Sequence, residues 1–334
     1  MKKNIAILMG GYSSEFDISI QSGNVVYKHL DKNLYNAFRV HITKDSWFYV
    51  DDDHQKTTID KNDFSLHLDG SKITFDAAFN IVHGTPGEDG LLQAYFELIG
   101  IPQTACDFYQ AALTFNKRDC ISVLKPYGIP TAKNYFLNKG DFINTKNIIN
   151  TVGLPCFVKA NKAGSSYGVS KVKTEEELLP AIDIAYKEDD EIIIESFLSG
   201  TEVSVGVITY KGKDTVLPIT EIVSENEFFD YEAKYLGKSQ EITPARLNKE
   251  DEKKVKELAL KVYQILKMKG FSRSEYIFHN GEPHFIEMNT NPGFSEASIL
   301  PQQAIAAGIS LQDLLNNTIE EAIKAGTQQT SEIK

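Results

Sequence analysis

Apolar and polar positions follow two different periods along this chain, and the switches between them outline its elements. Residues 4–9, Asn-Ile-Ala-Ile-Leu-Met, form the apolar run of a buried strand that opens into Gly10-Gly11-Tyr12-Ser13-Ser14-Glu15. A helical period over residues 19–30 follows. Residues 39–43, 47–50 and 77–82 read as strands. The last runs into His83-Gly84-Thr85-Pro86-Gly87-Glu88-Asp89-Gly90 and a helical pattern over 91–99. Strand, glycine-rich turn and helix, repeated, predict an open α/β domain over residues 1–105. The turns lie at strand carboxyl ends, where such sheets bind ligands. These glycines could serve only to tighten turns. In the second run, however, the polar groups converge in one loop, which favours a site.

A helix is predicted over residues 111–124, with Lys117 and Arg118 within it, ending before Pro126. Residues 154–159 and 168–172 read as strands around the loop Ala163-Gly164-Ser165-Ser166-Tyr167. Backbone amides in that loop, with Lys159 beside it, can cradle a phosphate; Lys159 could equally be a solvated strand-end lysine. The loop lacks a Gly-Lys-Ser/Thr ending and joins two strands, so it is not a P-loop. Thr174-Glu175-Glu176-Glu177 caps a helix that runs to residue 186. Residues 191–195 and 203–210 are strands, and the alternation from 196 to 202 could sandwich a purine or mark a sheet edge. Residues 224–240 are aromatic and charged without periodicity, as in a lid. An amphipathic helix is expected over 253–266, and a surface helix after residue 311.

The stretch from residue 271 to 293 carries the sharpest chemistry. His279-Asn280-Gly281-Glu282-Pro283 reads as a hairpin loop, with the second strand starting at His284 because Pro283 cannot donate to a ladder. Pairing Phe278 with His284 sets Glu275 opposite Glu287 and Arg273 opposite Asn289. Glu287 and Asn289 then share one face, roughly 6–7 Å apart, and Ile286 and Met288 the other. Facing carboxylates repel, so they call for a cation between them. Two carboxylates and an amide suit Mg²⁺ or Mn²⁺ beside substrate phosphates. A slip of one residue would separate the acids and leave an ordinary polar hairpin.

Composition narrows the partners. The 334 residues suffice for two or three domains, and 42% hydrophobic with 24% charged residues is ordinary for a globular protein. A net charge of −11 argues against nucleic acid or an anionic membrane as partner. The cysteines Cys106, Cys120 and Cys156 lack metal-ligand spacing and fit a reducing compartment. Lys2 and Lys3 precede an apolar run too short for a signal peptide, and no stretch approaches the ~20 apolar residues of a membrane span. The expected location is the cytoplasm.

In this order, the motifs resemble the ATP-grasp superfamily and, within it, the D-alanine–D-alanine ligases of peptidoglycan synthesis. The carriers are Gly10-Gly11-x-Ser-x-Glu15, His83-Gly-x-x-Gly-Glu-Asp-Gly90, Lys159 with Gly164-Ser165-Ser166-x-Gly168, Asp230-Tyr-Glu-Ala-Lys-Tyr235, Arg273-x-Glu275 and Glu287-x-Asn-Thr-Asn-Pro-Gly293. They span residues 4–308. The resemblance implies a Rossmann-like N-terminal domain (1–105), a central ATP-grasp subdomain (106–190) and a C-terminal domain with metal site and lid (191–334). It implies ATP between the last two, with Lys117, Lys159, Gly164, Ser165 and Ser166 on the phosphates. Glu195, Phe197, Leu198 and Glu202 match adenosine positions, and Glu275, Glu287 and Asn289 match the ligands of two Mg²⁺ or Mn²⁺ ions. Glu15 would hold the first D-alanine's ammonium, with His83 nearby and Ser165 and Tyr235 in a network with Glu15. Ser298, the Ile299 amide and Lys234 would hold the second carboxylate, and Arg273 with the Gly293 amide the oxyanion.

Two positions depart from the family pattern: Glu275 stands where many members carry Asp, and Ala297 where some have histidine. A homodimer is the family habit. Two other readings remain at this point: a D-alanine–D-lactate ligase, or a non-catalytic nucleotide-binding regulator. Loss of a metal ligand, the arginine or the lid would support the regulator, and the sequence retains them all.

Overall fold

The computed structural model describes residues 1–164, 167–224 and 239–332, with backbone alone at 224, 239 and 327–332. Its first sheet grows from the amino-terminal apolar run. Strand β1 (Lys3–Gly10) pairs in parallel with β2 (Tyr35–Ile42) and with β7 (Ala77–Asn80), and helix α1 (Phe16–His29) connects the first two. The expected α/β core is therefore present. Beyond it, β3 (Trp47–Val50), β4 (Lys56–Asp60), β5 (Ser65–Leu68) and β6 (Ser71–Ile73) continue the sheet antiparallel. The last three are short and mostly polar, with Asp69 and Gly70 at positive φ in their final turn, so periodicity missed them.

The helix predicted over 111–124 is two helices. After α2 (Leu91–Ile99), α3 (Phe108–Phe115) ends at Asn116, whose backbone is extended (φ −85°, ψ 99°), and α4 (Lys117–Leu124) begins. Asn116 Oδ1 accepts from the Asp119 amide at 3.1 Å, which caps α4 and puts Lys117 at its first position.

A four-stranded antiparallel sheet follows, in the order β10 (Ser170–Val172), β9 (Cys156–Ala160), β11 (Glu191–Ser196), β8 (Asn134–Asn138). Helices α5 (Thr145–Val152) and α6 (Leu178–Ala185) pack on it in a core of their own. Thr174 and Glu177 form the expected capping box. Strand β11 belongs to this sheet, so the division expected at 190/191 falls one strand early.

The third sheet has six strands: β15 (Ser239–Ile242), β14 (Thr220–Ser224), β12 (Gly200–Tyr210), β16 (Phe271–His279) and β17 (Glu282–Asn289) in order, with β13 (Lys213–Val216) beside β12. Helix α7 (Lys249–Ile265) covers one face through Val255, Ala259, Val262 and Tyr263. Helices α8 (Ile299–Ala306) and α9 (Leu311–Glu332) follow. The expectation of a surface helix after residue 311 is corrected here. Leu311, Leu314, Leu315 and Ile319 are buried with Ile5, Ile7 and Met9 of β1 and Ile208 and Phe271 of the third sheet, in one shared core. Phe79, Phe271 and Phe294 meet there with ring centroids 4.9–6.0 Å apart.

Polar pins complete that junction. Asn291, 1% exposed, donates from Nδ2 to the carbonyls of Val82 (3.1 Å) and Gly87 (3.0 Å). Glu88 reaches the other way, its Oε2 accepting from the Gly84 amide (2.7 Å) and its Oε1 from the Asn291 amide (3.3 Å). Burial, with the nearby Glu15 charge, pushes Glu88 up from the ordinary 4.5 to about 8, although both amides favour its ionised form.

Two outcomes follow from these pins. Asn291→Ala leaves the Val82 carbonyl without its buried donor, and urea titration should show a loss of about 2–3 kcal/mol; a loss below about 0.5 kcal/mol would mean that the pin adds nothing. Between its ordinary value and about 8, folded Glu88 keeps a proton that the unfolded chain has released, so stability falls as pH rises across that window. Glu88→Gln copies the protonated carboxyl, so its melting temperature should fall less steeply than the wild type's from about pH 5.5 to 8.5. Parallel slopes would show that Glu88 does not titrate there.

Candidate active site

Phe278 pairs with Pro283, not with His284, and β17 begins at Glu282. Pro283 is tolerated because β17 is the edge of its sheet. Continued without interruption, this register would set Glu275 opposite Ile286. A β-bulge between the levels of Glu275 and Tyr276 takes up Ile286 as an extra residue and restores Glu275 opposite Glu287 and Arg273 opposite Asn289. The facing acids are thus present for a different reason than the loop predicted. The bulge has a second effect. Ile286 lines the same cleft as Glu287 and Ile277, where strict alternation would send it to the other face.

That cleft, about 930 Å³, lies between the second and third sheets. Phe157, Ala160, Val169, Leu198, Ile277 and Ile286 make apolar walls, and Lys117, Lys159, Glu195, Glu202, Glu275 and Glu287 bring charge to them. Lys159 Nζ lies 2.8 Å from Glu195 Oε2. Burial works against its charge, but Glu195, Glu287 and Glu202 outweigh burial and hold the ammonium above the ordinary lysine range. Glu195 is 4% exposed, and its Oε1 has no hydrogen-bond partner among the described residues, an acceptor suited to a ligand N–H. Lys117 Nζ donates to the Ala163 carbonyl at 2.7 Å and lies 3.7 Å from Glu287 Oε2. Phe197 packs against Phe157 at 6.1 Å with Lys171 Nζ over its ring, and does not line the cleft.

A larger cavity of about 1450 Å³ adjoins the cleft and shares Lys117, Ala163, Gly164 and Glu287 with it. Glu15, His83, Ser22 and Glu88 line it from the N-terminal unit, and Arg273, Gly293, Ser298 and Ile299 from the third sheet and the segment that follows it. Ser13 fixes Glu15, since its Oγ accepts from the Glu15 amide (3.2 Å) and donates to the His83 carbonyl (3.0 Å). The 161–164 loop passes close to Glu15: a Cβ on Gly164 would lie 2.9 Å from Glu15 Oε2, so a larger residue there would push the Glu15 carboxylate aside. His83 is 6% exposed, with Nε2 3.4 Å from Ser22 Oγ. Its burial lowers the pKa against the pull of Glu15 and favours the neutral ring.

On β16, Arg273 Nη1 lies 2.9 Å from Glu275 Oε1 and 3.4 Å from Ser204 Oγ. Ser298 heads α8, its Oγ 2.7 Å from Ser295 Oγ, and a Cβ on Gly293 would come within 2.9 Å of Ser298 Oγ. A side chain at Gly293 would therefore displace the Ser298 hydroxyl. Glu241 also lines this cavity, and burial raises its pKa despite Arg273.

The donor set of the hairpin fits a hard cation. Asn289 Oδ1 is buried without a hydrogen-bond partner among the described residues, on the strand that carries Glu287 opposite Glu275. All three offer oxygen, the preference of Mg²⁺ and Mn²⁺. Among the described residues no group of three or more His, Cys, Asp or Glu is placed to hold a metal ion, so the set of two carboxylates depends on the Asn289 amide as its third oxygen.

The expected Ser165, Ser166, Lys234 and Tyr235, and with them most of the lid expected over 224–240, lie outside the described residues. The other expected site residues, Phe197 apart, line one cavity or both. Sequence reasoning gave no role to Glu88, Glu241, Asn291 or Ser204. Glu88 was visible inside the His83–Gly90 motif, whereas Glu241 and Ser204 look like ordinary strand residues.

Comparison with known proteins matches residues 4–106 to the D-ala D-ala ligase N-terminus and residues 123–320 to the D-ala D-ala ligase C-terminus. A D-alanine–D-alanine ligase of Christiangramia forsetii is 69% identical, over 97% of this chain and 99% of its own. The VanG D-Ala:D-Ser ligase from Enterococcus faecalis is similar in structure, with TM-score 0.84 and 30% identity, over 96% of this chain and all (100%) of its own. The D-alanine–D-alanine ligase from Bacillus anthracis, complexed with ATP, has TM-score 0.79 and 28% identity, over 98% of this chain and 99% of its own. By two family matches that cover most of its length, and by its two sheets facing across a charged cleft, this chain belongs to the D-alanine–D-alanine ligases of the ATP-grasp superfamily.

Proposed function

We propose that this chain joins two D-alanines at the expense of ATP, giving D-alanyl-D-alanine for peptidoglycan precursors, through a D-alanyl phosphate. The observation that carries this reading is the meeting of the two cavities at Lys117, Gly164 and Glu287, which supports a triphosphate in the cleft ending beside an amino-acid carboxylate in the larger cavity. In this reading Lys117, Lys159 and the Gly164–Ser165–Ser166 loop hold the phosphates. Glu195, Leu198 and Glu202 hold the nucleoside, with Phe197 supporting Phe157. Glu275, Glu287 and Asn289 would hold Mg²⁺ or Mn²⁺, two ions in all, which supply positive charge between the triphosphate and the attacking carboxylate.

Glu15 holds the ammonium of the first D-alanine beside neutral His83, in a network with Ser165 and Tyr235. The carboxylate of that first D-alanine takes the γ-phosphoryl group of ATP, giving D-alanyl phosphate and releasing ADP. The neutral amine of the second D-alanine, whose carboxylate is held by Ser298, the Ile299 amide and Lys234, attacks the activated carbonyl. Arg273 and the Gly293 amide take the charge on its oxygen, and inorganic phosphate leaves as the peptide bond forms. One-for-one release of phosphate and dipeptide from ATP, Mg²⁺ and D-alanine tests the reading; phosphate without dipeptide, or neither, overturns it. With equal D-alanine and D-lactate, neutral Tyr235 sets no barrier against an amine, so dipeptide should predominate from about pH 6 to 8.

Glu287→Gln removes a charge where the two cavities meet, and should lower turnover by about a hundredfold or more with an unchanged circular dichroism spectrum. Near-normal activity in a folded variant would overturn the metal assignment.

We take one structural unit per sheet: 1–105, 106–196 and 197–334. Three free, buried thiols support a reducing cytoplasm, and among the described residues no helix is long and apolar enough to cross a membrane. For the assembly we favour a homodimer. Leu91 and Leu98 on α2 and Phe108 and Tyr109 at the start of α3 are 43–87% exposed on neighbouring helices, an apolar surface that a second copy would cover. Light scattering should give twice the 37.4 kDa chain mass, and Leu98→Asp should shift it toward the monomer. A monomeric wild type would remove the dimer.

A further inference from the structure

A third cavity, about 910 Å³, lies apart from the site, where α2, the 101–107 segment, the turn before β16 and α9 meet. It shares no lining residue with the two cavities described above. Gln93 lines it and is 2% exposed. Its Nε2 is committed to the Gly87 carbonyl at 2.6 Å, and its Oε1 has no hydrogen-bond partner among the described residues. A buried amide oxygen in that position calls for a donor.

Charge narrows the donor. Glu97, Asp107 and Glu321 line the cavity against one ammonium, Lys269, which Asp107 already holds at 2.7 Å. Among the described residues, Glu97 and Glu321 enter no ion pair. The walls thus offer acceptors and negative charge, which excludes an anion and suits an N–H-bearing cation.

The wall also touches the substrate loop from behind. The Gly87 carbonyl that Gln93 holds accepts from Asn80 Nδ2 (3.0 Å) and Asn291 Nδ2 (3.0 Å) as well, and the next residue, Glu88, lines the amino-acid cavity. A donor on Gln93 Oε1 polarises the amide and strengthens its Nε2–H bond to Gly87.

We propose that this cavity binds a small primary amine, with its ammonium on Gln93 Oε1 in the field of Glu97 and Glu321, and that the bound amine stiffens the Gly87–Glu88 segment and tightens amino-acid binding next door. The inference goes beyond the ligase reaction and needs no residue assigned to it.

Calorimetry on the full chain with methylammonium, ethylenediamine and putrescine tests it, with tetramethylammonium as a cation that has no N–H. These probes carry no carboxylate, so they do not mimic the substrate. Saturable binding of one amine per chain is expected, with no competition from tetramethylammonium. Glu321→Gln removes a lining charge and Ala325→Leu fills the space; each should weaken binding about tenfold at unchanged melting temperature and unchanged amine-free turnover. At saturating amine the D-alanine KM should fall about twofold or more in the wild type and stay put in both variants. Absence of saturable binding, equal competition by tetramethylammonium, undiminished binding by both folded variants, or an unmoved KM would each overturn the proposal.

Discussion

Two carboxylates set directly opposite one another in an antiparallel pair repel, and this sheet keeps Glu275 and Glu287 in that relation on the wall of the cleft, with Glu287 where the cleft meets the amino-acid cavity. The surroundings answer the repulsion. Arg273 lies 2.9 Å from one acid and Lys117 3.7 Å from the other, and two residues along β17 the buried Asn289 oxygen has no hydrogen-bond partner among the described residues. Each of these groups comes from a different constraint: a bulge for the acids, a helix start for Lys117, a strand pair for Arg273. A charge cluster of this kind costs stability unless a cation shares it, which is why it belongs to chemistry and not to the core.

A second point of convergence is the Gly87 carbonyl, which accepts from the side-chain amides of Asn80, Gln93 and Asn291. The first two come from the N-terminal unit and the third from the segment after β17. The loop that carries His83 and Glu88 is therefore shaped by its own domain and by the domain that holds the acids. Gly87 has no alternative there, because a Cβ would lie 2.1 Å from the Val82 carbonyl oxygen.

Much of this was legible in the chain. The apolar run at residues 4–9, the two glycine-rich turns and the Thr174–Glu177 cap all depend on neighbours in sequence, and all appear where their patterns put them. What failed depended on distant partners. The bulge at Ile286 leaves no local mark, so the acids were paired correctly from a wrong hairpin register. The break at Asn116 is a capping preference hidden inside a helical pattern. Glu241 enters the site only because β15 pairs with β14, a contact between residues on either side of the 225–238 stretch. Leu314 and Ile319 read as one face of a surface helix because the β1 residues they cover are more than 300 positions away.

That last contact bears on how a nucleotide gets in. Helix α9 closes the chain's end over its beginning, and the first and third sheets share a single core. The second sheet keeps a separate one, built from Leu137, Val158, Ile182, Ile194 and their neighbours. Two of the three sheets are thereby fused by a dry seam, while the small middle one is joined through short connections at its edges. Opening the cleft by swinging the first sheet would tear apolar surface from apolar surface. Lifting the second parts walls that the cleft already separates, and water can solvate their charged groups at little cost. The freedom to admit ATP is concentrated in the one sheet that was left out of the seam.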